Sequence, residues 1–230
     1  MTHTTVYDIR QSFLREWMRM GRPTAQDGKM IELMGVSFRA SEPTIFKSPN
    51  LEYIDREIEW YLSQSLNVHD FPGGAPRIWR EVANHDGEIN SNYGNLVFST
   101  DNFRQYHHVL QELRDHPESR RAVMIYTRPL MHLHAVQHGK NDFVCTNAVQ
   151  YLIRDDRLHA IVQMRSNDAV FGYRNDFAWQ YYILRQLLVD LEDDYPDLHA
   201  DSITWQVGSL HIYPRHVHLI QRYYETGNPE

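Results

Sequence analysis

Residues 143–168 read FVCTNAVQYLIRDDRLHAIVQMRSND, and this stretch decides the fold. Residues 147–154 and 157–164 alternate apolar and polar side chains, the period of strands with one buried face. Asp155-Asp156 between them reads as a tight turn, so the two strands pair as a hairpin. Working outward, 121–127 (RAVMIYT), 202–213 (SITWQVGSLHIY) and 30–38 (MIELMGVSF) carry similar patterns and are predicted strands. Helical spacing appears at Ile9, Phe13, Leu14, Trp17 and Met18, with Gly21 as a stop, and at Leu51, Ile54, Ile58, Tyr61 and Leu62. It recurs at Tyr106, Val109, Leu110 and Leu113, with Asp101 as a candidate cap, and over 177–191; a short helix ends the chain. The segment 66–95, rich in Pro, Gly and Asn, reads as a long loop. Strands and helices do not alternate regularly, so the expected class is α+β, one main mixed sheet covered by helices, within a single domain spanning 1–230.

Composition narrows the function. A net charge of -7 argues against direct nucleic-acid binding, while leaving room for a few local arginines to hold a small anion. The lone cysteine excludes an intrachain disulfide and fits a reducing cytoplasm. No apolar run is long enough for a membrane span or leader, so a cytoplasmic protein is expected. The fourteen histidines include clusters at 132, 134 and 138 and at 211, 216 and 218, but there is no HExxH and no second cysteine; no metal is expected.

Several residues are equipped for chemistry. Cys145 is a nucleophile if positive charge lowers its pKa, and Arg120, Arg121 and Arg165 are the candidates to supply it. Arg165-Ser166 places a planar fork beside a hydroxyl, a pair suited to phosphate. Glu57 stands at the edge of an apolar helix face, where a carboxyl can hold a proton or order a water. His211 and Tyr213 alternate on a strand and share one face, where they can bond a sugar hydroxyl or form a core pair.

Taken in order, Glu57-x-x-Trp60, Arg77-Ile78-Trp79, Asn92-Tyr93-Gly94, Ser119-Arg120-Arg121, Cys145, Arg165-Ser166-Asn167-Asp168, Gly172 and His211-Ile212-Tyr213 resemble the thymidylate synthase family over about residues 30–215. Within that family the stretches GEINSNYG, MIYTRP, QYLIRD, MRSND and VGSLH are similar to the branch that hydroxymethylates deoxycytidylate in T-even bacteriophages. The resemblance implies a homodimer with sheets packed back to back and composite active sites. It implies 5,10-methylenetetrahydrofolate as co-substrate, Cys145 as nucleophile adding to C6 of the base, and Glu57 as manager of protons and water. Arg165 and Ser166 would bind phosphate within the subunit, Arg120 and Arg121 across the interface. Asn167 would belong to the nucleotide site, His211 and Tyr213 to the ribose, and Trp79, Asp168 and Gly172 to the folate. Three departures stand out. Thr146 follows the cysteine where the synthases carry histidine, the synthases' early phosphate-binding arginine has no clear counterpart near 20–30, and 17 residues follow Tyr213, fewer than in the synthases' closing tail.

Counted without gaps from Arg165, Asp176 falls where uracil-specific members carry asparagine. An ionised carboxylate only accepts hydrogen bonds, which suits the N4 amino group of cytosine and opposes O4 of uracil. A slip of one residue would put Asn175 there instead, and Asp176 would then only cap a helix. The expected reaction is conversion of dCMP, reduced folate and water to 5-hydroxymethyl-dCMP and tetrahydrofolate. The alternatives are methylation of dCMP, or a relative acting on dUMP or CMP. Ser166 favours the deoxyribonucleotide, and the apolar run Leu96-Val97-Phe98 favours methylation by excluding water.

Overall fold

The computed structural model describes residues 4–230. Its centre is a five-stranded sheet in the order β1 (Ile31–Arg39), β5 (His199–Ile212), β4 (Arg157–Asp168), β3 (Thr146–Arg154), β2 (Val123–Ile125). Only β4 and β5 run parallel, joined through the long helix α7 (Gly172–Asp190); every other pairing is antiparallel, so the sheet is mixed as expected. The β3–β4 turn holds Asp155 at φ 50° and Asp156 at φ 54°. Two consecutive left-handed residues match the right-handed twist of the flanking strands.

Alternation along β3 and β4 buries Val149, Tyr151 and Ile153 and Leu158, Ala160, Val162 and Met164 on one face. Helix α7 covers that face, with Trp179, Ile183, Leu184 and Leu187 fully buried in the core. Each such side chain contributes roughly 1.5–3 kcal/mol by leaving water. Around it lie α1 (Val6–Arg19), α2 (Leu51–Ser63), α3 (Arg77–Val82), α4 (Tyr93–Phe98), α5 (Gln105–Asp115), α6 (Met131–His138) and α8 (Val217–Thr226).

The structure corrects several boundaries. The expected loop 66–95 contains α3 and the start of α4, which are short helices that lean on tertiary contacts. Gly94 in α4 is set against α2 so closely that a Cβ would stand 1.8 Å from the Tyr61 carbonyl oxygen. Helix α5 is preceded by Arg104 at φ 47°, not by Asp101. Helix α6 has no signal in the sequence, because Leu130, Leu133 and Val136 stay exposed and give no amphipathic pattern. Only Val123–Ile125 of the expected strand 121–127 pairs as β2, and β5 ends at Ile212, one residue before Tyr213. On α2 the buried residues are Ile54, Glu57, Trp60 and Tyr61, while Leu51 and Leu62 are exposed. The face is therefore rotated from the one that hydrophobicity indicates, and Glu57 lies inside it.

Candidate active site

The parallel β4–β5 pair brings two carboxyl ends together, the usual location for a site in a sheet of this kind. Ser166 pairs with Ser209 and Asp168 with His211, so two motifs far apart in sequence become neighbours. Strand β3 runs antiparallel to β4, which puts its first residues beside the last ones of β4. Cys145 stands at that junction, half-buried, its carbonyl accepting from the Arg165 backbone N–H at 2.9 Å.

The Arg165 side chain wraps the same segment. Its Nε donates to the Val144 carbonyl (3.0 Å), its Nη2 donates to the Phe143 carbonyl (2.5 Å), and that Nη2 lies 3.9 Å from Cys145 Sγ. No carboxylate pairs with Arg165 among the described residues, so its charge is available to the thiol and to an anion. Even so the thiol is pushed up to about 11, first by burial and then by the negative field of Asp176, against which Arg165 acts alone.

Helix α7 begins at Gly172, five residues earlier than expected, so Asp176 lies inside the helix and does not cap it. Its Oδ2 accepts from Asn167 Nδ2 at 2.8 Å, and the nearby Tyr93 hydroxyl eases the rise in its pKa. Burial, then the charge of Glu57, raises Asp176 to about 7. Asn175, the residue a slip of one would substitute, leaves its buried Oδ1 without a partner and takes no part in this network. Gly172 permits the close start of α7: a Cβ there would stand 3.0 Å from Asn167 Nδ2 and 3.3 Å from Asp168 Cβ. Asp168 accepts from the backbone N–H groups of Val170 (3.0 Å) and Phe171 (3.3 Å), fixing the turn into the helix.

Glu57 is 5% exposed and its carboxyl is raised to about 7 by burial. Its Oε1 accepts from the Tyr53 hydroxyl (2.6 Å) and from Trp79 Nε1 (3.2 Å). Both donors crowd one oxygen, which leaves Oε2 to carry a proton or bond a water. Sequence reasoning misses Tyr53, although its i, i+4 spacing to Glu57 on a helix is an available signal. It also misses Tyr93 as a wall of the site, and Arg174, buried with Nη1 on the Ser48 carbonyl (2.6 Å), whose charge opposes the rise at Glu57. His211 is buried, and its ring meets Tyr213 edge-on at 4.9 Å.

Arg120 and Arg121 lie elsewhere. Val123 pairs with Gln150, and the Ala122 carbonyl accepts from Tyr151 N–H, which sets Arg121 opposite about residue 152. That is seven residues along β3 from Cys145, roughly 23 Å at the rise of a strand. Both arginines are exposed, and Arg121 pairs with Glu112 at 3.0 Å. The apolar run 96–98 also faces away from chemistry: Leu96 and Val97 are buried in the core, and Phe98 packs on Tyr106 and Trp179. Among the described residues no group of three or more His, Cys, Asp and Glu side chains could hold a metal, and no helix is long and apolar enough to cross a membrane.

The deoxycytidylate 5-hydroxymethyltransferases of Enterobacteria phages T4 and T2 are each 54% identical over 201 residues, 86% of this chain and 82% of theirs. A thymidylate synthase from Francisella philomiragia is 27% identical over 76% of this chain and 65% of its own. The solved structure of thermostable thymidylate synthase A from Bacillus subtilis shares the fold, with a TM-score of 0.63 and 19% identity, covering 93% of this chain and 84% of that one. The family model for thymidylate synthase matches residues 31–227, and the chain belongs to the thymidylate synthase family.

Proposed function

We propose that this protein is a deoxycytidylate 5-hydroxymethyltransferase, converting dCMP, 5,10-methylenetetrahydrofolate and water to 5-hydroxymethyl-dCMP and tetrahydrofolate. The observation that carries the reading is Asp176, a carboxylate held by the Asn167 amide beside Cys145, where a pyrimidine must lie for its C6 to meet the thiolate. Its free lone pairs match the amino group of cytosine and oppose the O4 of uracil.

Cys145 Sγ bonds C6 of the base, the C5–C6 double bond opens, and N3 takes up a proton from solvent and then donates it in a hydrogen bond to Asp176. C5 thereby becomes nucleophilic and bonds the one-carbon unit; loss of the C5 proton and cleavage of the bond from that carbon to the folate nitrogen then leave an exocyclic methylene and release tetrahydrofolate. Reduced folate supplies that carbon at the oxidation level of formaldehyde. The surroundings fit a flat heterocycle: the half-buried Trp79 indole, fixed at its edge by Glu57, borders the site, and Asp168 and Gly172 shape its far wall. Glu57, with one oxygen occupied and the other open, orients a water toward the exocyclic methylene left on C5. Addition of that water, re-formation of the C5–C6 double bond and departure of Cys145 from C6 complete the turnover.

Ser166 and Arg165 serve the phosphate within the chain, and His211 with Tyr213 serves the sugar. Arg120 and Arg121 serve the phosphate of a second subunit, because neither reaches its own site. Their charge would also oppose the rise in the Cys145 pKa. The sheet face turned away from α7 carries Ala148, Gln150, Ile161, Gln163, Thr204 and Gln206, and it is the surface on which two sheets would pack back to back. Methylation loses one support, since Leu96, Val97 and Phe98 belong to the core. Turnover in ¹⁸O-labelled water tests the assignment: label in the C5 substituent of the product is expected, and an unlabelled 5-methyl product with dihydrofolate would overturn it.

A further inference from the structure

We propose that Trp205 is a specificity-determining positioning residue, fixing the direction of the hydrogen bond that Asn167 makes onto Asp176 so that this carboxylate faces the base as an acceptor. The inference rests on Asp176 being the base reader.

The chain of bonds starts at the Trp205 indole. An indole N–H can donate and never accept. Trp205 is fully buried on β5, and its Nε1 donates to Asn167 Oδ1 at 3.2 Å. That contact orients the Asn167 amide: its oxygen is committed to Trp205, so its NH2 group is the one that meets Asp176 Oδ2 at 2.8 Å. A flipped amide would set N–H against N–H on one side and oxygen against carboxylate on the other, in a site where Asn167 is 2% exposed. Asn167 therefore acts on the base through Asp176, not by touching the nucleotide.

One oxygen of Asp176 is thus held by a donor whose direction is fixed by a buried group outside the nucleotide site. The rest of the carboxylate offers a partner lone pairs, which an amino group satisfies and a carbonyl does not.

The test measures the Kd of dCMP and of dUMP on the folate-free protein by calorimetry between about pH 5 and 9. The variants are Trp205→Phe, Asn167→Leu and, as reference, Asp176→Asn. Trp205→Phe keeps an aromatic ring and removes the N–H that orients the amide; Asn167→Leu keeps the size of the side chain and removes the donor to Asp176. Each is expected to lower the preference for dCMP about tenfold, the usual consequence of one misdirected buried hydrogen bond. Each should also move the acidic limb of dCMP binding to higher pH, because loss of a donor to the charged form favours the protonated one. A purely structural role predicts instead a lower Tm and equally weakened binding of both nucleotides, with the limb unmoved, and that result would overturn the proposal. If Asp176→Asn changes the preference while Trp205→Phe and Asn167→Leu do not, this inference fails and the base reader stands. A flat Asp176→Asn result removes both. The two variants break the same chain at different links, so failure of one to fold leaves the other decisive.

Discussion

The β2–β3 strand pair has two ends of opposite character. At one, Cys145 is enclosed with Arg165, Asp176 and Glu57, two carboxyls sit near neutrality and the thiol is held high. At the other, Arg120 and Arg121 stand in solvent, and among the described residues Glu112 is the one acid paired with Arg121. The first end has shape and too little positive charge; the second has charge and no cleft. The contrast teaches that enclosure and charge are separate resources: burial at one end shifts the groups it encloses, and exposure at the other leaves charge without a cleft.

The most severe way to break this picture is Cys145→Ser. An alkoxide is far harder to form than a thiolate, so turnover should fall below detection while dCMP still binds. Near-normal product formation, followed by mass spectrometry, would remove the covalent step. The sharing of charge is tested next by mixing Cys145→Ser with Arg121→Ala protein. In a closed dimer, random exchange puts half of the subunit pairs in heterodimers, each with one intact site, so about a quarter of wild-type activity should return. No recovery after verified exchange would confine Arg121 to its own subunit.

The carboxyl end of the comparison is sharpened by Asp176→Asn. The amide gains a donor for O4 and keeps an acceptor for N3–H of uracil, so relative kcat/KM should move from dCMP toward dUMP by at least about tenfold. An unchanged ratio would turn attention to Asn175.

The smallest effect is on stability. Glu57 titrates at about 7 in the folded protein against an ordinary 4.5, and Asp176 at about 7 against 3.8. The native state therefore binds more protons than the unfolded chain across that window, and stability declines as pH rises through it. Glu57→Gln should flatten the decline, by no more than about 3 kcal/mol at pH 8. Urea midpoints at pH 5 and pH 8 measure it, and an equal decline in both proteins would show that Glu57 is not desolvated.

Much of the fold is legible in the amino-acid sequence. The hairpin around Asp155-Asp156, the long helix and the α+β class follow from periodicity, because a half-buried strand writes its burial into every second residue. The short helices α3, α4 and α6 do not, since three turns or fewer leave no pattern and depend on what they pack against. Glu57 is visible as a candidate, but its depth is not: the apolar count on α2 points to Ile58 and Leu62, while packing chooses Trp60 and Glu57.

The sequence by itself determined which chemical groups are present and the order in which they come: one thiol, an Arg-Ser pair, an acid where others have an amide. It did so because composition, spacing and motif are properties of the chain alone. Only the tertiary structure decided what those groups become. Parallel pairing of β4 with β5 brought Asp168 to His211, burial lifted Glu57 and Asp176 to about 7, and the strand's length kept Arg121 from its own Cys145. The physical reason is that desolvation, field and hydrogen-bond direction depend on distance in space, and residues far apart in sequence set them.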